Sequence, residues 1–156
     1  MNRFFLFRGF LKLALSFTLI LTASSVFSQK ALQPMDEWAI QVYNQFRIYQ
    51  GQLDLSNQSH EIVTGRLDDG GSDWVNIEIP AGNTYYILGV CDNDCLDLDL
   101  ELYSANNEQL SKDNESDDYP LVSVTPTERT VYRVKVVMAN CSEAPCRYGV
   151  AVYRSE

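Results

Sequence analysis

The side chains with most chemistry to offer in this chain are carboxylates, and they are crowded. Between Asp92 and Asp118 ten acidic side chains stand against one basic one, Lys112. Packed together without compensation such groups repel one another, and a divalent cation relieves the repulsion. Calcium is the natural choice, because it takes about six to eight oxygens from carboxylates, carbonyls and water. The candidate ligands are Asp92 and Asp94 between two cysteines, Asp97 and Asp99 in an alternating segment, and Asp113, Glu115, Asp117 and Asp118 in the acidic loop Lys112 to Pro120. On one strand face Asp97 and Asp99 would lie about 7 Å apart, so one ion touches both only where the strand end bends. The competing reading is that these charges keep an exported β-protein soluble and blunt its strands against association. The Asp-x-Asn-x-Asp-Gly register of a helix–loop–helix calcium site is absent.

Other chemistries have less support. The four cysteines fall as Cys91-x3-Cys95 and Cys141-x4-Cys146, and neither is the C-x2-C of a zinc site. In an exported chain an even count reads as disulfides. Of three possible pairings the two local ones, Cys91–Cys95 and Cys141–Cys146, are expected, each closing a small loop at a strand end. Loops so short remove only roughly 2 to 3 kcal/mol of unfolded-state entropy, so their purpose is to fix loop shape. A serine hydrolase needs a histidine-activated nucleophile. The single histidine, His60, has Ser59 and Glu61 beside it in a connector, and no Gly-x-Ser-x-Gly elbow or phosphate-cradling glycine loop occurs. A glycosidase needs one carboxyl raised in an apolar pocket, and these carboxylates sit in polar segments. The protein is therefore expected not to be an enzyme.

The start of the chain has the three parts of a secretory signal. Arg3, Arg8 and Lys12 are the positive region, Leu13 to Leu21 the apolar region, and Val26 and Ser28 the small residues before cleavage, placing the signal peptide at 1–28. The apolar run is short for a span of about 20 residues, so an exported protein, periplasmic or extracellular, is expected, with no membrane span after processing. Removing Arg3, Arg8 and Lys12 and no acid takes the formal charge from −9 to −12. That balance argues against nucleic acid, whose binding draws on Lys and Arg contacts, and favours cationic partners and metal ions.

The elements that must position these groups are strands after one helix. From Asp36 to about Gln50, Trp38, Val42, Phe46 and Tyr49 recur at helical steps and share a face with Met35 and Leu53. That face either packs on the domain or meets a partner through Trp38, Val42 and Tyr49. Residues 29–60 are read as this amphipathic helix and a connector. From Glu61 onward seven short strands follow, over Glu61–Leu67, Trp74–Ile79, Thr84–Val90, Leu96–Tyr103, Leu121–Thr125, Val131–Met138 and Tyr148–Tyr153. In the fourth, Leu96, Leu98, Leu100 and Leu102 alternate with Asp97, Asp99, Glu101 and Tyr103, which turns the leucines inward and the carboxylates to water. Seven strands with turn chemistry between them predict an all-β fold, two stacked antiparallel sheets in one domain over 61–156.

Three segments in order, Pro80-Ala81-Gly82-Asn83-Thr84-Tyr85, Asp97-Leu98-Asp99-Leu100-Glu101-Leu102-Tyr103, and Thr125-Pro126 before Thr130-Val131-Tyr132-Arg133-Val134, resemble the bacterial pre-peptidase C-terminal domain. The resemblance covers about residues 61–153. It implies a jelly-roll-like antiparallel β-sandwich of non-catalytic character and names no ligand. The two cysteine loops and the absence of a peptidase depart from the family's common pattern. The function expected is that of a binding or stabilising module, calcium-assisted, whose partner is an extracellular or envelope protein or polysaccharide. A structural or interaction protein using its helix is the alternative, and a hydrolase the third.

Overall fold

The computed structural model describes residues 36–155. The expectation of a signal peptide at 1–28, and Met35 of the helix face, lie outside the described residues. One helix, α1 (Glu37–Gln52), precedes eight strands: β1 (Val63–Leu67), β2 (Ser72–Ile79), β3 (Tyr85–Cys91), β4 (Cys95–Tyr103), β5 (Gln109–Asp113), β6 (Leu121–Val124), β7 (Thr130–Cys141) and β8 (Cys146–Arg154). They form two four-stranded antiparallel sheets with orders β1-β8-β3-β6 and β2-β7-β4-β5. These interleaved orders are those of a jelly roll, in which two Greek keys are wound into two sheets.

The inner faces meet in one apolar core. Val75, Ile77 and Ile79 of β2, Leu98, Leu100 and Leu102 of β4, and Val134, Val136 and Met138 of β7 face Ile87 of β3 and Tyr148, Val150 and Val152 of β8. Residues that tolerate a left-handed backbone make the turns, with Gly82 at φ 94° where the chain crosses from β2 in one sheet to β3 in the other and Asn107 at φ 64° in the β4–β5 hairpin.

Three details depart from the sequence reading. There are eight strands rather than seven, because β5 pairs along Leu100–Tyr103 where a loop was expected, so Lys112 and Asp113 are strand residues. Leu96 points outward and is 56% exposed, because the β4–β7 ladder slips on either side of Asp97 and Cys95 takes the inward position instead. The helix α1 continues past the expected end near Gln50, through Gly51 to Gln52, and is capped by Leu53, whose N–H bonds to the Tyr49 carbonyl.

The helix begins where Asp36 accepts a hydrogen bond from the Ala39 N–H, an N-cap. Its Val42 and Phe46 pack with Leu55 on Leu88, Val90, Ala151 and Tyr153, the outer face of the β3–β8 sheet. Tyr49 stacks on Tyr119 with centroids 4.0 Å apart and donates to the Asp118 carboxylate. The central strands β3 and β8 are therefore covered on both faces.

Candidate functional site

The predicted carboxylates do not gather at one point. Asp97 and Asp99 lie on the outer face of β4, and Asp92 and Asp94 lie between Cys91 and Cys95. Two of the others hold the backbone of their own loop, and a third takes a hydroxyl from the helix. Asp113 accepts from the Glu115 and Leu121 N–H groups, Asp117 from Tyr119 N–H, and Asp118 from the Tyr49 hydroxyl. Among the described residues no group of three or more His, Cys, Asp or Glu side chains stands close enough to hold a metal ion. Burial raises the pKa of Asp97. It does the same for Asp99, with repulsion from Asp97, Glu101 and Asp113 added, and for Asp117, where Asp113, Asp118 and Glu115 add to it. One carboxylate oxygen of Asp97 is buried without a hydrogen-bond partner.

Of the helix residues, Val42 is buried and Tyr49 is half-buried in its stack, so that face is spent on the domain. Trp38 differs. It is 39% exposed and forms one wall of a cleft of about 340 Å³ that Arg66, Asp94, Glu143, Ala144, Pro145 and Arg147 complete.

Every wall of this cleft is anchored. Cys91 pairs with Cys95 and Cys141 with Cys146, so both loops that supply lining residues are cross-linked at their bases. The loops are also tied together, since the Asp94 carbonyl accepts from both the N–H and the hydroxyl of Ser142 at 2.8 and 2.7 Å. The helix is tied to them where the Asn93 N–H donates to the Gln41 side chain at 3.0 Å. Asp36, while capping the helix through one oxygen, pairs through the other with Arg147 at 3.0 Å.

The floor is a cross-strand pair. Arg66 of β1 and Arg147 of β8 stand opposite in register, on the face that Gly149, Ala151 and Tyr153 turn toward the helix. Like charges so placed are unfavourable unless countered. Asp36 counters Arg147 from above. Asp92 lies behind the strand, only 1% exposed, its carboxylate accepting the Arg147 backbone N–H at 2.8 Å and adding a lesser attraction between the two charges. Burial raises the Asp92 pKa against the lowering effect of that bond, and its second oxygen has no partner. Arg66 has no carboxylate within salt-bridge reach among the described residues.

Neither arginine is marked by a motif. The only signals in the sequence are the strand alternation that puts Thr64 and Arg66 on one face and the position of Arg147 next to Cys146. The Ser59–His60 neighbourhood proves to be a fastening. His60 nitrogens lie 2.8 Å from the Ser59 hydroxyl and 2.9 Å from the Glu78 carbonyl oxygen, while Ser59 also reaches the Val152 carbonyl, so the connector is joined to β2 and β8. A carboxylate orienting the imidazole, as in a catalytic triad, is not what holds it.

No family model and no curated protein sequence matches this chain. Among solved structures it is similar to the pre-peptidase C-terminal domain of a collagenase from Bacillus anthracis, at 10% identity and TM-score 0.47, covering 62% of this chain and 89% of that one. It is also similar to the Aeromonas hydrophila periplasmic inhibitor of g-type lysozyme, at 10% identity and TM-score 0.44, covering 61% and 85%. A third is the Yersinia pseudotuberculosis-derived mitogen, at 13% identity and TM-score 0.47, covering 64% and 88%.

Proposed function

We propose that this protein is a non-catalytic binding module, working outside the cytoplasm, that recognises a protein partner in the cleft bounded by Trp38 and the two disulfide loops. The observation that carries this is the rigidity of the cleft. Two disulfides, the Ser142–Asp94 bonds and the Asp36–Arg147 pair hold its walls before any partner arrives. A site so pre-organised loses little freedom on binding, and that saving is what converts a small contact area into affinity. Trp38 is the kind of half-exposed aromatic that anchors interfaces. Two disulfides fit an oxidising compartment.

The test is capture from an envelope or extracellular fraction. Trp38→Asp should abolish it while the circular dichroism and melting temperature of the sandwich stay near those of the parent. A photo-crosslinking residue at position 38 should trap the partner, and one at Leu110, on the far sheet, should not. Capture that survives Trp38→Asp, with crosslinks only at 110, would sink the reading.

Calcium assistance has one observation in its favour, the buried, unpartnered oxygen of Asp97 beside Asp99. It requires the β4 carboxylates and those of the β5–β6 loop to converge on the ion. Calorimetric titration of calcium should then give heat that Asp97→Asn with Asp99→Asn removes, and a flat titration of the parent rules it out.

A further inference from the structure

Resting on the cleft as the recognition site, we propose that the group it receives is a basic side chain, arginine or lysine, projecting from the partner protein. The charges on the cleft decide its sign. Arg147 is already engaged by Asp36 at 3.0 Å and backed by buried Asp92. What remains free is one guanidinium, Arg66, against two carboxylates, Asp94 and Glu143, neither of which has a cationic partner within salt-bridge reach among the described residues. The balance is negative, and it sits on a chain whose formal charge is −9. An acidic molecule of this kind draws cationic partners from a distance, and a cleft of the same sign focuses that attraction.

The ring of Trp38 adds a second, independent preference. A cation over the face of an indole is attracted by the ring quadrupole. The other tryptophan, Trp74, already carries Arg133 at 4.2 Å over its ring. Trp38 carries no such cation among the described residues, although it is exposed to a similar degree. A long basic side chain lying along the Trp38 face with its head between Asp94 and Glu143 would use both features at once, its alkyl stem against Pro145 and its charge at the rim.

Arg66 makes the proposal falsifiable, because it opposes an incoming cation and would assist an incoming anion. In a Trp74→Phe background Trp38 is the sole tryptophan, and excitation at the red edge of indole absorption reads it apart from the tyrosines. A hexapeptide of alternating glycine and arginine should then change its emission saturably, and the matching glutamate peptide should not. Asp94→Asn with Glu143→Gln should weaken the arginine peptide by about tenfold, Arg66→Gln should tighten it several-fold, and Glu128→Gln, just before β7 at the end opposite Cys141, should leave it unchanged. Preferential binding of the glutamate peptide, weakened by Arg66→Gln, overturns the proposal while leaving the cleft as recognition site. Weakening by Glu128→Gln as large as that by Asp94→Asn with Glu143→Gln overturns it as diffuse charge attraction. Silence of Trp38 toward both peptides, while the separate variant with the crosslinking residue at position 38 still traps the partner, overturns it as well. Loss of the crosslink itself would remove the underlying reading instead.

Discussion

Gly149 of β8 lies under Phe46 of α1 so closely that a Cβ added to the glycine would come 2.6 Å from the phenyl ring and 2.8 Å from Val42. The helix docks because that strand position carries no side chain. Gly149→Val should therefore lift α1 from the sheet, at a cost of about 1 to 3 kcal/mol for overpacking, visible as a lower denaturant midpoint. Since Trp38 rides on the same helix, its emission should shift and cleft binding should fall at temperatures where the sandwich remains folded. Unchanged stability and emission would mean that the helix is not held by this contact.

Acidification should stabilise the protein before it harms it. Asp97, Asp99 and Asp117 have pKa values raised in the fold, all by burial first, with neighbouring carboxylates adding to it at Asp99 and Asp117 and the Tyr119 N–H offsetting part of it at Asp117. A carboxyl whose folded pKa lies above its unfolded value binds its proton more tightly in the native state. Its contribution is complete below the unfolded pKa and is lost as pH rises through the folded one. Glu101 runs the other way, lowered chiefly by the Tyr103 hydroxyl and then by Lys135, and offsets part of the gain. The melting temperature should be higher at about pH 5 than at about pH 7, and Asp97→Asn with Asp99→Asn should flatten the difference. A steady fall in melting temperature over that window would show that the raised values are not felt by folding.

The same carboxylates show how far sequence reasoning reached. Leu98, Leu100 and Leu102 turn inward as their alternation requires, yet Leu96 does not, because slips in hydrogen-bond register leave no mark in residue types. Strand β5 was invisible for a related reason. Gln109 to Asp113 contains one large apolar residue, Leu110, and it faces solvent at an edge, so no apolar alternation announces a strand. A readable signal was left unused in β3 and β8. Tyr85 to Cys91 and Tyr148 to Tyr153 contain no charged residue, as expected of strands covered on both faces, and their cover is the helix. The cleft could not be read, because Arg66 and Arg147 meet only through the β1–β8 register.

The disulfides should matter more to recognition than to stability. Replacing both Cys141 and Cys146 with serine opens a loop so short that the chain-entropy loss is about 2 kcal/mol. That loop carries Glu143, Ala144 and Pro145 into the cleft and Ser142 onto the Asp94 carbonyl. The double variant should melt only modestly lower, measured by circular dichroism. It should bind its partner far more weakly at a temperature where it is fully folded. Binding equal to that of the parent would show that the loop keeps its shape without the bond.

Asp36 separates helix capping from charge in the cleft, since one of its oxygens takes the Ala39 N–H at 2.8 Å and the other takes Arg147 at 3.0 Å. Asp36→Asn keeps a good cap and loses the ion pair. As an exposed pair it contributes about 0 to 1 kcal/mol, so the melting temperature should barely move. Asp36→Ala loses the cap as well and should cost about 1 kcal/mol more. Both variants release the Arg147 charge into the cleft, so both should weaken binding of the arginine peptide to a similar extent despite their different stabilities. If instead affinity follows stability, weakening only in Asp36→Ala, then the aspartate serves the helix alone and the charge on Arg147 plays no part in what the cleft selects.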